Sequence, residues 1–237
     1  ESVELAALST TLATNAIVEG KGQKVGLLFM PPYGLFKPED IAYEPKALIS
    51  GRLEITGEQI QPVDGEEVRR VAREMVERFE VRAFAVSGFA GAINPEHELL
   101  VKELLREETG LFVTCGHELS DILDFRTRAR TAVMNGRIIP LLAQLLEDLE
   151  QVLRSRGIRS PVVVVKGDGT LMSKETALER PVETILSGPA ASVAGARHLT
   201  GRQDAIVVDM GGTTTDTAMI RDGQVSVCES GSTAGGK

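Results

Sequence analysis

The sequence predicts an α/β domain with a largely parallel sheet covered by helices. Three observations carry this. From residue 24 to 209, short apolar runs alternate with helical patterns, as in strand–helix–strand crossovers. Runs such as 25–30 and 162–165 are apolar throughout, which suits strands buried on both faces. The last three runs, 205–208, 217–220 and 225–228, are joined by tight turns and read as an antiparallel meander.

At 237 residues the chain is long enough for one large or two small domains with a real core. Lysine and arginine number 26 against 34 aspartates and glutamates, a net charge of −8 without a basic block. Nucleic acid and anionic membranes are therefore not expected as partners. Tryptophan is absent and other aromatics are few, so base-stacking platforms are not expected either. Cys115 and Cys228 lie far apart, which fits free thiols in a reducing, cytoplasmic setting. The first residues do not read as a signal peptide and no apolar run here is long enough for a bilayer, so neither secretion nor a membrane span is expected.

Residues 3–19 carry Leu5, Leu8, Leu12 and Ala16 at mostly four-residue spacing, with Gly20 as a stop. A helix is predicted over part of this stretch, from Thr10 or Thr11 onward. The Thr10-Thr11 pair either contacts phosphate or substrate or simply caps that helix. Residues 24–30 form an apolar strand ended by Pro31-Pro32. Residues 31–63 then hold five prolines and no clear period, the mark of a functional or mobile stretch, with a short strand around 52–55. Asp64 begins a helix with Glu67 at capping-box spacing, and Val68, Val71, Ala72, Met75, Val76 and Phe79 make its apolar face.

A strand over 81–87 follows. Asn94-Pro95 then opens a helix that runs to Thr109 and stops at Gly110. His97 falls on its polar side and is expected at the surface. Residues 111–114 are the next strand. Cys115 reads as a buried free thiol unaccompanied by a ligand cluster, and His117 as a weak site candidate. His198 near a later helix end suits a helix-dipole contact. Residues 119–134 and 136–156 read as two helices, or one broken at Asn135-Gly136, with Arg126, Arg128 and Arg130 spread over different faces.

The strand 161–165 ends in Lys166-Gly167-Asp168-Gly169-Thr170. Open α/β sheets place ligands at the carboxyl ends of strands, so Lys166 and Asp168 are site candidates with a plain turn as the alternative. Ser173 caps a short helix ending before Pro181. Ser187-Gly188-Pro189 starts a helix of small residues through Ala196, suited to close packing.

The chain is organised around Asp209-Met210-Gly211-Gly212-Thr213-Thr214-Thr215-Asp216. Two glycines remove Cβ where the chain turns, so a ligand can approach the backbone. Successive N–H groups in such a turn make an anion-binding concavity, and the threonines add hydroxyls. Asp209 and Asp216 bracket the turn and suit a hydrated Mg²⁺ or the orienting of a water. Phosphate donors between two carboxylates fit a nucleotide and its metal. The competing reading is a glycine turn with two solvated aspartates.

This strand–turn–strand resembles the phosphate-binding hairpin of the ATPase superfamily of sugar kinases, actin and the heat-shock chaperones. More narrowly, 208–216 together with Thr10-Thr11-Leu12-Ala13-Thr14-Asn15-Ala16-Ile17 and Thr184-Ile185-Leu186-Ser187-Gly188-Pro189-Ala190-Ala191 resembles the A-type, N-methylhydantoinase A-like members of the hydantoinase/5-oxoprolinase family. Ser9 stands where that family pattern leads one to expect glycine. The resemblance implies a ribonuclease-H-like, actin-like ATPase lobe. Residues 1–203 would be most of the first lobe without its opening phosphate hairpin, and 204–237 the first strands of the second. Only one such hairpin is present, so the chain is expected to be a piece of a larger two-lobed protein.

The resemblance also implies ATP- and Mg²⁺-dependent opening of a cyclic amide such as a hydantoin or 5-oxoproline, with a hydantoinase B-type partner subunit or domain. Gly211, Gly212, Thr213 and Thr214 would bind phosphates. Asp209 and Asp216 would serve the metal or the attacking group, and Lys166, Asp168, Thr10 and Thr11 would line the site. Two rivals remain at this point: a small-molecule kinase of the same superfamily, and a non-catalytic nucleotide-binding or scaffold module.

Overall fold

The structure is a computed structural model that describes residues 3–18, 20, 22–32, 34, 41–211 and 215–225. The chain divides into two compact units. One is residues 22–141; the other joins 1–21 to 142–237. The units part at 21/22 and 141/142.

The unit of residues 22–141 is built on four strands: β2 (Val25–Met30), β3 (Lys46–Leu48), β6 (Ala83–Gly88) and β7 (Phe112–Cys115). They run parallel in the order β3-β2-β6-β7. Every residue of β2 and β6 is buried, as a sheet covered on both faces requires. Alternate residues face opposite layers. Leu28, Met30, Phe84 and Val86 meet Val68, Val71, Ala72 and Met75 of α2 (Gly65–Phe79) and Val101 and Leu105 of α3 (Glu96–Thr109). Leu27, Phe29, Ala83 and Ala85 meet Phe125, Ala129, Ala132 and Val133 of α4 (Phe125–Ser155).

The helix ends follow the sequence signals with one change. Asp64 accepts from the N–H groups of Glu66 and Glu67 at 3.0 and 3.3 Å. Its own N–H goes to Ser50 Oγ at 2.8 Å. Glu67 therefore does not close the capping box; its carboxylate takes the Ser50 N–H at 2.8 Å instead. Asn94 Oδ1 accepts from Glu96 N at 3.0 Å at the start of α3, and Gly110 closes that helix in the left-handed region. The break expected at Asn135-Gly136 is absent, because α4 is continuous. Both residues serve packing: Asn135 is buried and donates to Thr114 Oγ1 at 3.0 Å, and a Cβ on Gly136 would press on Val25 at 3.2 Å.

The irregular stretch 31–63 contains β3 and a two-stranded ribbon, β4 (Arg52–Leu53) with β5 (Gln59–Gln61). Its alternation is too short to register as a period. Residues 35–40 lie outside the described set.

In the other unit, β1 (Ala6–Leu8) runs parallel to β8 (Val162–Val165), which pairs antiparallel with β9 (Leu171–Ser173). Residues 6–8, expected within or beside a helix, are thus a strand; α1 is Leu12–Val18. Leu142 and Leu146 of α4 pack with Val164, Met172 and Ala177. Ser173 caps α5 (Lys174–Glu179) through the Thr176 N–H at 3.2 Å. A 3-10 turn (Pro181–Thr184) leads to α6 (Ser187–Thr200) and then to the meander β10 (Ala205–Met210), β11 (Thr215–Arg221) and β12 (Gln224–Val225). No helix among the described residues is long and apolar enough to cross a membrane.

A buried charge pair holds the end of β6. Glu98 Oε1 accepts from Gly88 N at 2.7 Å. The fully buried Arg128 donates to the carbonyls of Gly88, Phe89 and Ile122. Opposite charges therefore grip the two sides of the Gly88 residue. Burial pulls the Arg128 pKa down, and the charges of Glu98 and Asp124 oppose that shift. A Cβ on Gly91 would collide with the Glu98 carboxylate, which explains the glycine in that loop. Arg128→Ala is expected to lower stability by about 3 kcal/mol, since it strands three carbonyls and removes a charge that attracts the buried Glu98. Arg128→Lys, lacking the planar fork, should recover only part. Urea midpoints check this, and a loss below about 0.5 kcal/mol, the size of an ordinary surface change, would contradict it.

Candidate functional site

Strands β10 and β11 pair so that Met210 faces Thr215 and Asp209 faces Asp216. The turn is thereby limited to 211–214. Gly211 is exposed; Gly212, Thr213 and Thr214 lie outside the described residues. Alternation along both strands puts Asp209 and Asp216 on the half-buried face with Ala205, Val207, Ala218 and Ile220. The opposite face carries Ile206, Val208 and Met210 to solvent.

Like charges directly opposite on an antiparallel pair destabilise it. Among the described residues neither Asp209 nor Asp216 has a lysine, arginine or histidine partner. Asp209 does have a polar contact with Ser192 of α6, whose Oγ donates to Asp209 Oδ2 at 2.6 Å. Two adjacent carboxylates without a countercharge, next to an exposed glycine, fit a hydrated divalent cation that also binds phosphate oxygens.

Helix α6 gathers the other candidates of this unit. Ser187, fully buried, accepts from Thr10 N at 3.3 Å and donates to Thr10 O at 3.0 Å. Leu186 N donates to Thr14 Oγ1 at 3.1 Å. A Cβ on Gly188 would stand 3.7 Å from the Thr11 methyl. Thr10 Oγ1 accepts from Leu12 N at 3.1 Å, so it caps α1. Thr11 is exposed, with Asn15 Nδ2 donating to its hydroxyl at 3.3 Å.

The 166–170 turn closes the β8–β9 hairpin beside the start of the same helix. Lys166 Nζ lies 3.0 Å from Glu183 and 3.4 Å from Asp168. Asp168 accepts from Thr170 N and Oγ1 at 2.9 and 2.6 Å. Gly167 N donates to Glu183 O at 2.8 Å, and a Cβ on Gly167 would collide with the Ile185 carbonyl. The hydrogen bond to Glu183 raises the Lys166 pKa; the hydroxyl of Thr170 leads the groups that hold Asp168 below its ordinary value. The turn is thus well held, and Lys166 keeps part of its surface open.

The remaining histidines lie elsewhere or do other work. His97, expected at the surface, is buried: one ring nitrogen sits 2.9 Å from Gln59 Oε1, and burial lowers its pKa. The β4–β5 ribbon carrying Gln59 covers the helix side that looks polar in sequence. Cys115 is the expected buried thiol, but it is not isolated. Its ligand atom and those of Glu98 and His117 lie within 4.8 Å of one another. The thiol donates to the Glu98 carbonyl at 3.3 Å, and His117 Nδ1 lies 2.6 Å from Glu98 Oε2. Burial pushes the thiol pKa up, which disfavours the thiolate that a metal needs. These bonds close the turn after β7 onto α3. His198 is exposed in the last turn of α6, as expected.

Sequence reasoning missed Glu98, Arg128 and Ser192. A glutamate in a first helical turn, one arginine of three and a serine among alanines carry no distinguishing pattern.

Fold and site together define a mixed α/β protein with an acid-flanked glycine hairpin seated on a small-residue helix. Family profiles then cover most of the chain. One described as the hydantoinase/oxoprolinase N-terminal region matches residues 1–109, and one described as hydantoinase/oxoprolinase matches 128–237. The chain belongs to the hydantoinase/oxoprolinase family.

Among its relatives, the alpha chain of the caprolactamase of Pseudomonas jessenii is 27% identical over 245 residues, which cover 92% of this chain and 34% of the relative. The crystal structure of the ATP-dependent caprolactamase from that organism superposes with a TM-score of 0.74 at 29% identity, over 91% of this chain and 35% of the other. A nucleotide-free acetone carboxylase structure gives 0.75 at 23% identity, over 93% and 35%; this likeness is one of fold. The chain spans about a third of the length of these relatives.

The depressed Asp168 pKa sets a pH dependence. A carboxylate with a lowered native pKa contributes stability above its unfolded value, and that contribution is lost as pH falls through the native one. Asp168→Asn is therefore expected to destabilise at pH 7 and to lose its effect below about pH 4. Urea midpoints of wild type and variant at the two pH values check this. An undiminished difference in acid would contradict it.

Proposed function

We propose that this chain is part of an ATP-dependent hydrolase that opens cyclic amides of the hydantoin or 5-oxoproline type. The observation that carries the proposal is the pair Asp209 and Asp216, facing each other at the mouth of a glycine turn with no countercharge among the described residues. Family membership and the likeness to an ATP-dependent caprolactamase support the substrate class, since a lactam is a cyclic amide.

A ring amide is a poor electrophile. Transfer of the γ-phosphoryl group to its oxygen would release ADP and activate the ring carbon. Water would then add to that carbon, and the C–N bond would break with the nitrogen taking a proton. A second water would hydrolyse the resulting acyl phosphate to the acid and free phosphate. Catalysis in such transfers is mostly positioning and neutralisation of charge. In this reading Gly211, Gly212, Thr213 and Thr214 offer backbone and hydroxyl donors to the phosphates. Asp209 and Asp216 hold Mg²⁺ or its waters, or orient the attacking group; the ion would supply neutralisation of the triphosphate. Thr11 and Lys166 present polar groups near the start of α6. Thr10, as a cap, and Asp168, as the partner of Lys166, keep them in place.

Residues 1–203 form most of a first lobe in this proposal, and 204–237 begin a second. The remaining site groups come from the rest of the polypeptide and from a hydantoinase B-type subunit or domain. The naming of the caprolactamase relative as one subunit of its enzyme supports that partner. Two widely spaced cysteines support a cytoplasmic location.

Asp209→Asn and Asp216→Asn in the full-length protein with its partner are each expected to lower ATP turnover by about 10²–10³-fold, the cost of losing one preorganised electrostatic group. The assay follows free phosphate and ring-opened amide together. Wild-type turnover in both variants would refute the assignment, and a stable phosphorylated product would point to a kinase.

A further inference from the structure

Ser192 is a half-buried serine in the interior of α6, one residue before the buried Val193. Hydroxyls inside helices commonly bond back to the carbonyl four residues earlier. Other hydroxyls in this chain do so: Thr200 to Ala196 at 2.8 Å in the same helix, Thr131 to Thr127 at 3.0 Å and Thr109 to Leu105 at 2.7 Å. Ser192 does not follow them. It spends its single hydrogen on Asp209 Oδ2 at 2.6 Å, within the range of a charge-assisted O–H···O⁻ bond.

We propose that Ser192 is a positioning residue for Asp209. This rests on the reading of Asp209 as part of the phosphate and metal machinery. The hydroxyl anchors one carboxylate oxygen to the helix and leaves the other for the site. It also holds Asp209 against the repulsion of Asp216, its direct cross-strand neighbour. Asp209 is thus tied to the same helix whose first residue, Ser187, holds Thr10. A group that orients a ligating carboxylate governs its geometry and affinity without touching substrate.

The test uses the full-length protein with its partner, and whichever of hydantoin, 5-oxoproline and caprolactam the wild type turns over. Ser192→Ala is expected to lower kcat by about ten- to hundredfold and to weaken Mn²⁺ binding in the presence of ATP by about tenfold. KM for ATP should stay within about twofold. Mn²⁺ binding is read by the paramagnetic resonance of the free ion, apart from activity. The lost bond lowers the melting temperature, which the better helix propensity of alanine offsets only in part, so both readouts are taken well below the melting temperature of the variant. Ser192→Thr keeps the hydroxyl and should recover both kcat and Mn²⁺ affinity.

Wild-type kcat and Mn²⁺ affinity in Ser192→Ala, alongside an inactive Asp209→Asn, would overturn the role of Ser192 and leave the site reading intact. A loss in Ser192→Ala that Ser192→Thr does not recover would overturn it as well. Full turnover in Asp209→Asn would instead remove the parent reading, and the role of Ser192 with it.

Discussion

Two serine hydroxyls bind helix α6 to its surroundings, and the ties of Thr10 and Asp209 to that helix depend on them. Ser187 is fully buried, which is tolerable only because its oxygen exchanges hydrogen bonds with both the N–H and the C=O of Thr10. Ser192 reaches the central hairpin at Asp209. Between them the helix is made of glycine, proline and alanine, so neighbouring backbone can approach. The 166–170 turn uses this: Gly167 lies against the Ile185 carbonyl, and a Cβ on Gly169 would be 3.8 Å from the Ala190 carbonyl. Three stretches distant in sequence thereby converge on one short helix.

The two units treat charge in opposite ways. In residues 22–141, the buried Glu98 is answered by two backbone N–H groups and a histidine, with Arg128 gripping the far side of the same glycine. That arrangement is complete in itself and reads as structure. At the hairpin, two carboxylates oppose each other with one serine hydroxyl between them and the helix. A repulsive pair of this kind costs stability unless something positive arrives. The difference separates a charged cluster that holds the fold from the one proposed here to bind a ligand.

Much of this was legible in the sequence where short-range chemistry dominates. The buried strand 25–30, the strand 162–165, of which only the second half is buried, the Asp64 and Ser173 caps, and the pairing of Asp209 with Asp216 all followed from local patterns. Other features depend on partners remote in the chain. Residues 6–8 become a strand because β8 offers an edge some 150 residues away. Asn135-Gly136 looks like a helix break but is a polar contact and a close approach within a continuous helix. His97 looks exposed until the β4–β5 ribbon brings Gln59 onto it. Arg128 and Glu98 are ordinary surface residue types, and only tertiary packing gives them their buried partners.

The central claim is that the acid-flanked hairpin receives a triphosphate. A structure of the full-length protein with Mg²⁺ and a non-hydrolysable ATP analogue tests it most directly. The terminal phosphates are expected at the 211–214 turn, with the ion or its waters on Asp209 and Asp216. A nucleotide bound elsewhere, with both carboxylates turned to bulk solvent, would contradict it.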